Sequence, residues 1–483
     1  MLRGVGEKVD TVVVSDLHLS DAEPVRESRP LWKAYKRREL FFDDDFARLL
    51  NHVSDEGDGP VELVLNGDVF DFDNIVQLPV DPEGEVDWLA KLRGLGSQQW
   101  MSEFKAGCII QDHFEWFRAV GDFARAGNHV VFIVGNHDTE LHWPAVQNKI
   151  REGLGLGAGV DGDERVRFCS WFYVSDDTFI SHGHQYDMYC THRNPMHPYI
   201  RLRGKRVVRI PFGDLCERYL LNGMGYFNPH SHENYIMSAL EYVRFFVRYM
   251  LRTQPLLLWT WFWSALVTFG MSMRHFLAPA LKNPLMVEEV VAKVASDAKT
   301  TPAVVRRLTA INVPSACSNP LRILRELWLD RALLLLGLFY LAWQIVATIN
   351  MAWPISPWWF FLPVLIALPF YFIYSFSISS AVFEDPLLNE RLAGYIKEIT
   401  GCDRVVFGHT HQPVHRDVEG VEYLNCGFWS PAYQEPECLT RLGTQTFVWV
   451  KGQGEGEPRR GGLYEWPLGH DHPRIFTPKK AGH

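Results

Sequence analysis

The stretch TVVVSDLH (residues 11–18) decides the fold, because an apolar, β-branched run ends there in two metal-binding side chains, Asp16 and His18. The same pattern occurs four more times, in VELVLNGDVFD (61–71), HVVFIVGNHD (129–138), DTFISHGHQYD (177–187) and CDRVVFGHTH (402–411). Each apolar run predicts a strand, and the turn-forming residues after it predict a loop. Ligand sites of α/β sheets form at the carboxyl ends of strands, so we expect the five loops to meet at one edge.

Each of these loops has an ordinary explanation when it is taken alone. An Asp-x-His after a strand can be an exposed loop, Gly-Asn-His-Asp can be a turn, and His-x-His pairs commonly lie on the surface. The combination nevertheless indicates a metal site, since all five loops carry oxygen or imidazole donors and none carries a thiolate. This donor set suits Mn²⁺, our first choice, or else Fe²⁺ or Zn²⁺.

The chemistry that such a site serves is phosphate hydrolysis. Two divalent cations about 3.5–4 Å apart can clamp a phosphoryl group and generate hydroxide near neutral pH. The pair needs a bridging carboxylate, and Asp68 is the natural candidate.

The blocks DLH, GDVFD, GNHD, HGH and GHTH, in this order, resemble the calcineurin-like metallophosphoesterases over residues 10 to about 190 and about 400 to 430. The resemblance implies an α/β fold, a two-sheet sandwich, with a binuclear metal centre bridged by Asp68. It also implies one ligand set for each cation: Asp16, His18 and His411 for the first, and Asn136, His182 and His409 for the second. His137 would lie near the phosphoryl oxygen or leaving group, as general acid or charge stabiliser.

Within the family, DLHLSD and GDVFDF are most similar to the UDP-2,3-diacylglucosamine hydrolase branch of lipid A synthesis. That branch usually has Arg where this chain has His137, and Asp where this chain has His184. It is also compact and peripheral, without a long apolar insertion. The substrate therefore stays open.

Three further polar residues in these loops have two interpretations each. Asp71 can orient a histidine ligand or cap the following turn. Asp138 can fix His137 or be a solvated turn residue. His184 can contact the substrate or be a hydrogen-bonded loop histidine.

Composition excludes some classes of protein. Lys and Arg number 48 against 57 Asp and Glu, for a net charge of −9, whereas nucleic-acid-binding proteins normally carry a basic excess. The eight cysteines form no CxxC pair, which predicts reduced thiols in a cytosolic compartment. The first residues lack the apolar core of a signal peptide, and none is predicted.

Two long segments, residues 253–273 and 332–383, contain no Asp, Glu, Lys, Arg or His. A helix needs roughly 20 apolar residues to span a bilayer, so 332–383, interrupted by Pro354 and Pro357, predicts a transmembrane hairpin. Two buried core helices are the alternative. The predicted division is a phosphoesterase domain in two parts (1–250 and 384–452), a membrane-associated helical insertion (251–383, with soluble helices at 274–331) and a loosely ordered tail (453–483).

His182 and the pair His409 and His411 lie on opposite sides of the apolar segments along the chain. If they share one centre, the chain crosses the bilayer an even number of times between them. Residues 274–331 are rich in Lys and Arg, which favours the cytoplasmic side. We therefore expect 253–273 to lie in the interface or to re-enter, and 332–383 to span. In the competing arrangement 253–273 and the first helix of 332–383 span, and the second helix of 332–383, which contains Pro363 and Pro369, lies flat.

Together these features predict a hydrolase attached to the inner membrane with its catalytic domain in the cytoplasm. Metal-bound hydroxide would cleave a phosphoester or pyrophosphate bond of a lipid-linked or nucleotide-linked substrate, and no nucleic-acid partner is expected. Two alternatives remain: a phosphodiesterase for soluble substrates such as cyclic nucleotides or nucleic-acid ends, and a non-catalytic membrane scaffold. The sequence does not indicate an oligomeric state.

Overall fold

The structure is a computed structural model that describes residues 9–57, 59–157, 165–230, 239–251, 255–281, 287–378, 390–452 and 459–477. The strands in these residues are β1 (Asp10–Val14), β2 (Val61–Asn66), β3 (His129–Ile133), β4 (Val166–Cys169), β5 (Phe172–Ser175), β6 (Thr178–Ser181), β7 (Tyr199–Leu202), β8 (Lys205–Val208), β9 (Arg404–Phe407), β10 (Val414–Val418), β11 (Val421–Asn425), β12 (Gln445–Lys451), β13 (Arg460–Trp466) and β14 (Arg474–Ile475).

The α-helices in the same residues are α1 (Asp43–Glu56), α2 (Trp88–Arg93), α3 (Gln99–Asp112), α4 (Phe114–Arg125), α5 (Pro144–Gly153), α6 (Phe212–Cys216), α7 (Ala239–Phe245), α8 (Leu257–Leu277), α9 (Val287–Asp297), α10 (Pro302–Ala310), α11 (Pro320–Glu326), α12 (Leu329–Ala352), α13 (Phe361–Ser377) and α14 (Glu390–Thr400). Helix α6 continues through a π-helical turn (Glu217–Leu221) into a last short turn, Asn222–Met224.

Two sheets form the centre of the protein. The first has the strand order β14-β13-β12-β1-β2-β3-β4, and the second has the order β10-β11-β9-β6-β5. Side chains alternate along each strand, so Ile180 and Val406 of the second sheet face Val13, Val64 and Val131 of the first in one buried cluster. The predicted two-sheet α/β sandwich is confirmed.

Helices cover the outer faces of both sheets. Helices α1 and α4 pack against the first sheet through residues such as Phe46 and Trp116. Helices α9, α10 and α14 cover the second sheet, where Val291 and Val305 pack in the same cluster as Val405. We expected residues 274–331 to belong to a separate insertion, but α9 and α10 are part of the sandwich. Their apolar faces complete its core.

The prediction of a loosely ordered tail over residues 453–483 is wrong for the described part, residues 459–477. Strand β13 pairs antiparallel with β12 from Lys451–Arg460 to Gln445–Trp466, and Leu463 and Trp466 are buried. The high glycine content of this segment is typical of a loop, so the sequence did not predict this strand. Gly461 is needed there, because a Cβ atom would lie 2.6 Å from Arg404 Nε.

Helices α12 and α13 form the hairpin that the sequence predicted within 332–383. Residues Leu329–Ala352 and Pro357–Ser377 are each long and apolar enough to cross a membrane. They pack on each other, with Phe339 and Phe360 stacked at 5.8 Å and the Tyr374 hydroxyl donating to Asp330 Oδ2 at 2.8 Å. Their large side chains are mostly exposed, which contradicts the alternative of two buried core helices.

Helix α8 carries the first apolar segment. One side of it, including Ser264, Ala265 and Thr268, is buried against the protein, while Trp259 and Trp263 are exposed by 64% and 49%. Among the described helices, the two that are long and apolar enough to span are those of the hairpin, and α8 is not one of them. An interfacial position of α8 stays a prediction.

Candidate metal centre

The five predicted loops meet at the carboxyl ends of the central strands. Strands β1, β2 and β3 are parallel neighbours in one sheet, and β6 and β9 are parallel neighbours in the other. Backbone hydrogen bonds join the loops, from His18 N to Asp68 O at 2.9 Å and from Gly408 N to His182 O at 3.0 Å. This topology brings side chains that are distant in sequence to one edge of the sandwich.

The first predicted ligand set, Asp16, His18 and His411, forms one cluster. The Nε2 atom of His411 lies 3.2 Å from Asp16 Oδ1 and 3.3 Å from the Nε2 atom of His18. His18 Nε2 is 3.9 Å from the same carboxylate oxygen. Three donor atoms therefore converge on one point, as in a cation site.

A second cluster contains Asp68, His182 and His409. The Asp68 Oδ2 atom lies 2.9 Å from His182 Nε2, and the rings of His182 and His409 are 5.2 Å apart. Asp68 also belongs to a cluster with His18 and His137. Its carboxylate thus lies between the two predicted sites, where a bridging ligand is needed.

Asn136 and His137 approach this centre from the loop after β3. The His137 backbone N–H donates to Asp68 Oδ1 at 2.9 Å. The Asn136 side chain donates from Nδ2 to Asp214 Oδ1 at 3.0 Å, and its Oδ1 atom is buried without a hydrogen-bond partner among the described residues. The His137 Nδ1 atom lies 3.2 Å from Glu217 Oε2.

Five of the seven predicted ligands have left-handed backbone geometry, with φ values of 56° at Asp16, 50° at His18, 50° at Asp68, 69° at His409 and 59° at His411. Such geometry costs about 1–3 kcal/mol for each residue other than glycine and clusters at functional sites. Their concentration in these loops marks this edge of the sandwich as a candidate functional site.

Glycines leave room for the ligands. A Cβ atom on Gly135 would lie 2.2 Å from Asp68 Oδ1 and 2.5 Å from the Asp68 backbone nitrogen. Replacing Gly135 with Ala should therefore displace Asp68 and weaken Mn²⁺ binding by about 10–100-fold, the usual cost of disturbing the support of a metal ligand. Calorimetric titration with Mn²⁺ measures this effect.

The control for this substitution is Gly59→Ala. Around Gly59 no described atom lies within 4 Å of an added Cβ, so Mn²⁺ affinity should not change. Unchanged affinity in Gly135→Ala would contradict the placement of Asp68 at the centre.

Hydrogen bonds to the far ring nitrogens orient three of the histidines. His182 Nδ1 contacts the backbone oxygen of Asn66 at 2.9 Å, and His411 Nδ1 contacts that of His230 at 3.3 Å. His409 Nε2 contacts Asp187 Oδ2 at 3.0 Å. Partners of this kind fix the tautomer and orientation of metal-binding histidines.

The electrostatic balance suits cations. Burial alone would raise the pKa of the Asp16 and Asp68 carboxyl groups, but neighbouring histidines, His182 above all, outweigh it and hold both pKa values below normal. Burial together with His230 and His137 lowers the pKa of His18 well below its usual value. Anionic carboxylates and a neutral imidazole are the forms that bind metals.

The structure separates the open interpretations of the remaining loop residues. Asp71 Oδ1 accepts from Asn74 N at 3.0 Å, which agrees with the interpretation as a turn cap, and its Oδ2 lies 3.4 Å from Nε2 of His230, which is not a predicted ligand. Orientation of a histidine ligand by Asp71 stays a prediction. Asp138 is buried and joins two loops by accepting from Val69 N and Gly135 N, at 2.9 and 2.6 Å, so it is not a solvated turn residue.

His184 is buried and lies 2.8 Å, through Nε2, from the Gln185 side-chain amide. This contact agrees with the interpretation as a hydrogen-bonded loop histidine. Its ring lies 5.3 Å from that of His192 and 5.4 Å from that of the predicted ligand His182.

Four buried or half-buried residues at the centre escaped the sequence interpretation: Asp187, Asp214, Glu217 and His230. His230 stacks on His18 with ring centres 4.0 Å apart. Asp187 is the last residue of the HGHQYD block, so its position beside the ligands could have been predicted from the sequence. The other three follow no strand, and only tertiary packing brings them to the centre.

A pair of divalent cations fits these residues. Asn136 Oδ1 is buried without a hydrogen-bond partner among the described residues, and the buried atoms Asp16 Oδ1 and His182 Nε2 each lie beside another predicted ligand, His411 at 3.2 Å and Asp68 at 2.9 Å. Buried polar atoms without a partner are costly and need an explanation. Cation binding would satisfy all three, and the oxygen and imidazole donors match Mn²⁺, Fe²⁺ or Zn²⁺.

Comparison with known proteins agrees with this geometry. Residues 10–218 match the family model described as calcineurin-like phosphoesterase. No curated protein matches the sequence. The matched region carries Asp16, His18, Asp68, Asn136 and His182, while His409 and His411 follow it in the chain. The part of the chain that supplies most of the metal centre is therefore similar to the calcineurin-like phosphoesterases, which supports a metal-dependent phosphoester hydrolase.

Proposed function

We propose that the protein is a membrane-attached, binuclear metal-dependent phosphoesterase or pyrophosphatase that acts on a lipid-linked or nucleotide-linked phosphate. The observation that carries this proposal is the meeting of two ligand clusters, Asp16, His18 and His411 beside Asp68, His182 and His409, at one sheet edge. Two divalent cations supply a water-derived nucleophile near neutral pH and neutralise charge on the phosphoryl oxygens.

The residues of the metal centre have two roles, binding of the cations and stabilisation of charge on the substrate. Asp68 and the other predicted ligands would hold the cations, and backbone and carboxylate contacts orient the histidines among these ligands. His137 lies beside Asp68, and Glu217 contacts its ring. A histidine at this position can stabilise charge on a phosphoryl oxygen or protonate the leaving group.

Membrane attachment is supported by the hairpin of α12 and α13. Residues such as Trp343, Ile366 and Phe370 are exposed by 60–71%, an arrangement that water disfavours and lipid tails accept. The packing of α9 and α10 on the second sheet supports placing residues 287–310 on the catalytic side. This favours the arrangement in which α8 does not span, and the Lys- and Arg-rich residues 274–331 favour the cytoplasmic side.

The similarity of DLHLSD and GDVFDF to the UDP-2,3-diacylglucosamine hydrolases makes a lipid-linked nucleotide diphosphate the first substrate class to test. Net negative charge and the exposed apolar helices weigh against nucleic-acid ends and soluble nucleotides.

Turnover by the full-length protein in detergent micelles, with Mn²⁺, Fe²⁺ or Zn²⁺, tests the proposal. We expect metal-dependent hydrolysis of a model phosphodiester and a kcat/KM for micellar lipid phosphates or diphosphates that exceeds that for cyclic nucleotides or oligonucleotides at least about tenfold, or 1.4 kcal/mol. Faster turnover of free nucleotides would favour the soluble-substrate phosphodiesterase. Absence of turnover and of bound metal would favour the scaffold.

A further inference from the structure

Helix α6 and the π-helical turn after it reach the metal centre from the segment that leads to the apolar helices. Asp214 contacts Asn136, Glu217 contacts His137, and Arg218 forms ion pairs with Asp73 and Glu140, all of them buried or nearly so. The other side of the segment, through Leu215 and Tyr219, packs against α8. π-Helical turns are rare and frequently occur at functional sites.

We infer that Asp214 is a positioning residue that turns the carboxamide of Asn136 so that its oxygen, rather than its nitrogen, faces the second cation. This inference rests on the proposed binuclear function. A carboxamide has a donor end and an acceptor end of almost the same shape, and divalent cations bind the oxygen. Contacts around Asn136 must therefore select one of two orientations.

The contact with Asp214 makes this selection. An ionised carboxylate only accepts hydrogen bonds, so it pairs with the Nδ2 end of Asn136 at 3.0 Å and rejects the Oδ1 end. Asp214 is fully buried, where a hydrogen bond is stronger than in water. The Oδ1 atom then points away from Asp214, is buried, and lacks a hydrogen-bond partner among the described residues. That is the state expected of an oxygen held ready for a cation.

The test compares Asp214→Ala with Asp214→Asn in the full-length protein, by calorimetric Mn²⁺ titration and metal analysis. In Asp214→Ala the acceptor is lost, so the affinity for one of the two Mn²⁺ ions should fall by about 10–100-fold while the affinity for the other stays unchanged. Asp214→Asn has a donor end as well as an acceptor end and can pair with either end of Asn136, so the affinity for that ion should fall between those of the wild type and Asp214→Ala. Glu326→Ala is the control, since Glu326 ends α11 and accepts from the Tyr189 hydroxyl, and its loss should not change Mn²⁺ affinity.

A double substitution separates positioning from a structural role. Asn136→Asp replaces the carboxamide by a carboxylate with two equivalent oxygens, so orientation no longer matters. Asn136→Asp/Asp214→Ala should therefore recover tight binding of the second Mn²⁺, which a merely destabilised protein would not do. The comparison stays valid if Asp214→Ala lowers the Tm, because recovery of Mn²⁺ binding in the double variant cannot result from destabilisation.

Two outcomes would overturn the inference: wild-type affinity for both ions in Asp214→Ala, or no recovery in the double variant. In either case a wild-type protein that binds two Mn²⁺ ions leaves the proposed function standing. A wild-type protein that binds no Mn²⁺ would overturn the proposed function together with the inference.

Discussion

Replacing Asp68 with Ala is expected to abolish metal-dependent hydrolysis, with a fall in kcat/KM of about 10³-fold or more. Metal ions contribute several kcal/mol to phosphoryl transfer, and each 1.4 kcal/mol is a factor of ten in rate. Asp68 lies between the two ligand clusters, close to His182 of one cluster and to His18 of the other. Its loss should therefore disturb both cations, whereas loss of His411 should disturb mainly the first. Steady-state kinetics and metal analysis of the purified variants measure these effects.

Two further variants distinguish loss of the metal centre from unfolding of the protein. Asp68→Asn keeps the shape of the side chain and removes its charge, so it should be nearly as inactive while retaining the circular dichroism spectrum of the wild type. Asp55→Ala removes an exposed carboxylate at the end of α1 and should keep full activity. Full activity in Asp68→Ala would refute the assignment of the centre.

Placing charges on the hairpin is expected to release the protein from membranes. A charged side chain at the middle of a spanning helix costs about 2.5–3.5 kcal/mol. Leu341 and Ile366 are exposed by 58% and 62% on α12 and α13, so Leu341→Glu/Ile366→Glu should add roughly 5–7 kcal/mol against insertion if the two costs are additive. Fractionation of cells followed by alkaline carbonate extraction compares the variant with the wild type.

The matched control is Leu468→Glu, which places the same charge on a residue that is 51% exposed outside the hairpin. It should remain in the membrane fraction with the wild type. Recovery of the wild-type protein in the soluble fraction would contradict membrane attachment while leaving the metal centre untouched.

Local sequence was sufficient for the central strands and the loops after them. In each of the five blocks the apolar run forms a strand and the donors follow it, because β-branched residues and turn formers act over a few residues. The start of α10 is also set locally, since the Thr301 side chain caps the helix by accepting from Val304 N and Pro302 follows in the first turn.

Tertiary packing decided what the sequence could not indicate. Asp214 and Glu217 lie on a helical segment with no motif of their own, and the fold alone brings them to Asn136 and His137. Helices α9 and α10 looked like part of an insertion because apolar segments flank them, yet their apolar faces cover the second sheet. Gly461, in the C-terminal strand β13, hid the strand pattern while permitting the close approach of Arg404.

The most direct test of the central claim is anomalous X-ray scattering from crystals of the full-length protein grown with Mn²⁺. Two adjacent manganese peaks are expected, one contacted by Asp16, His18 and His411, the other by Asn136, His182 and His409, with the Asp68 carboxylate contacting both. Manganese peaks elsewhere, or a fully occupied single peak that these seven side chains do not surround, would contradict the account.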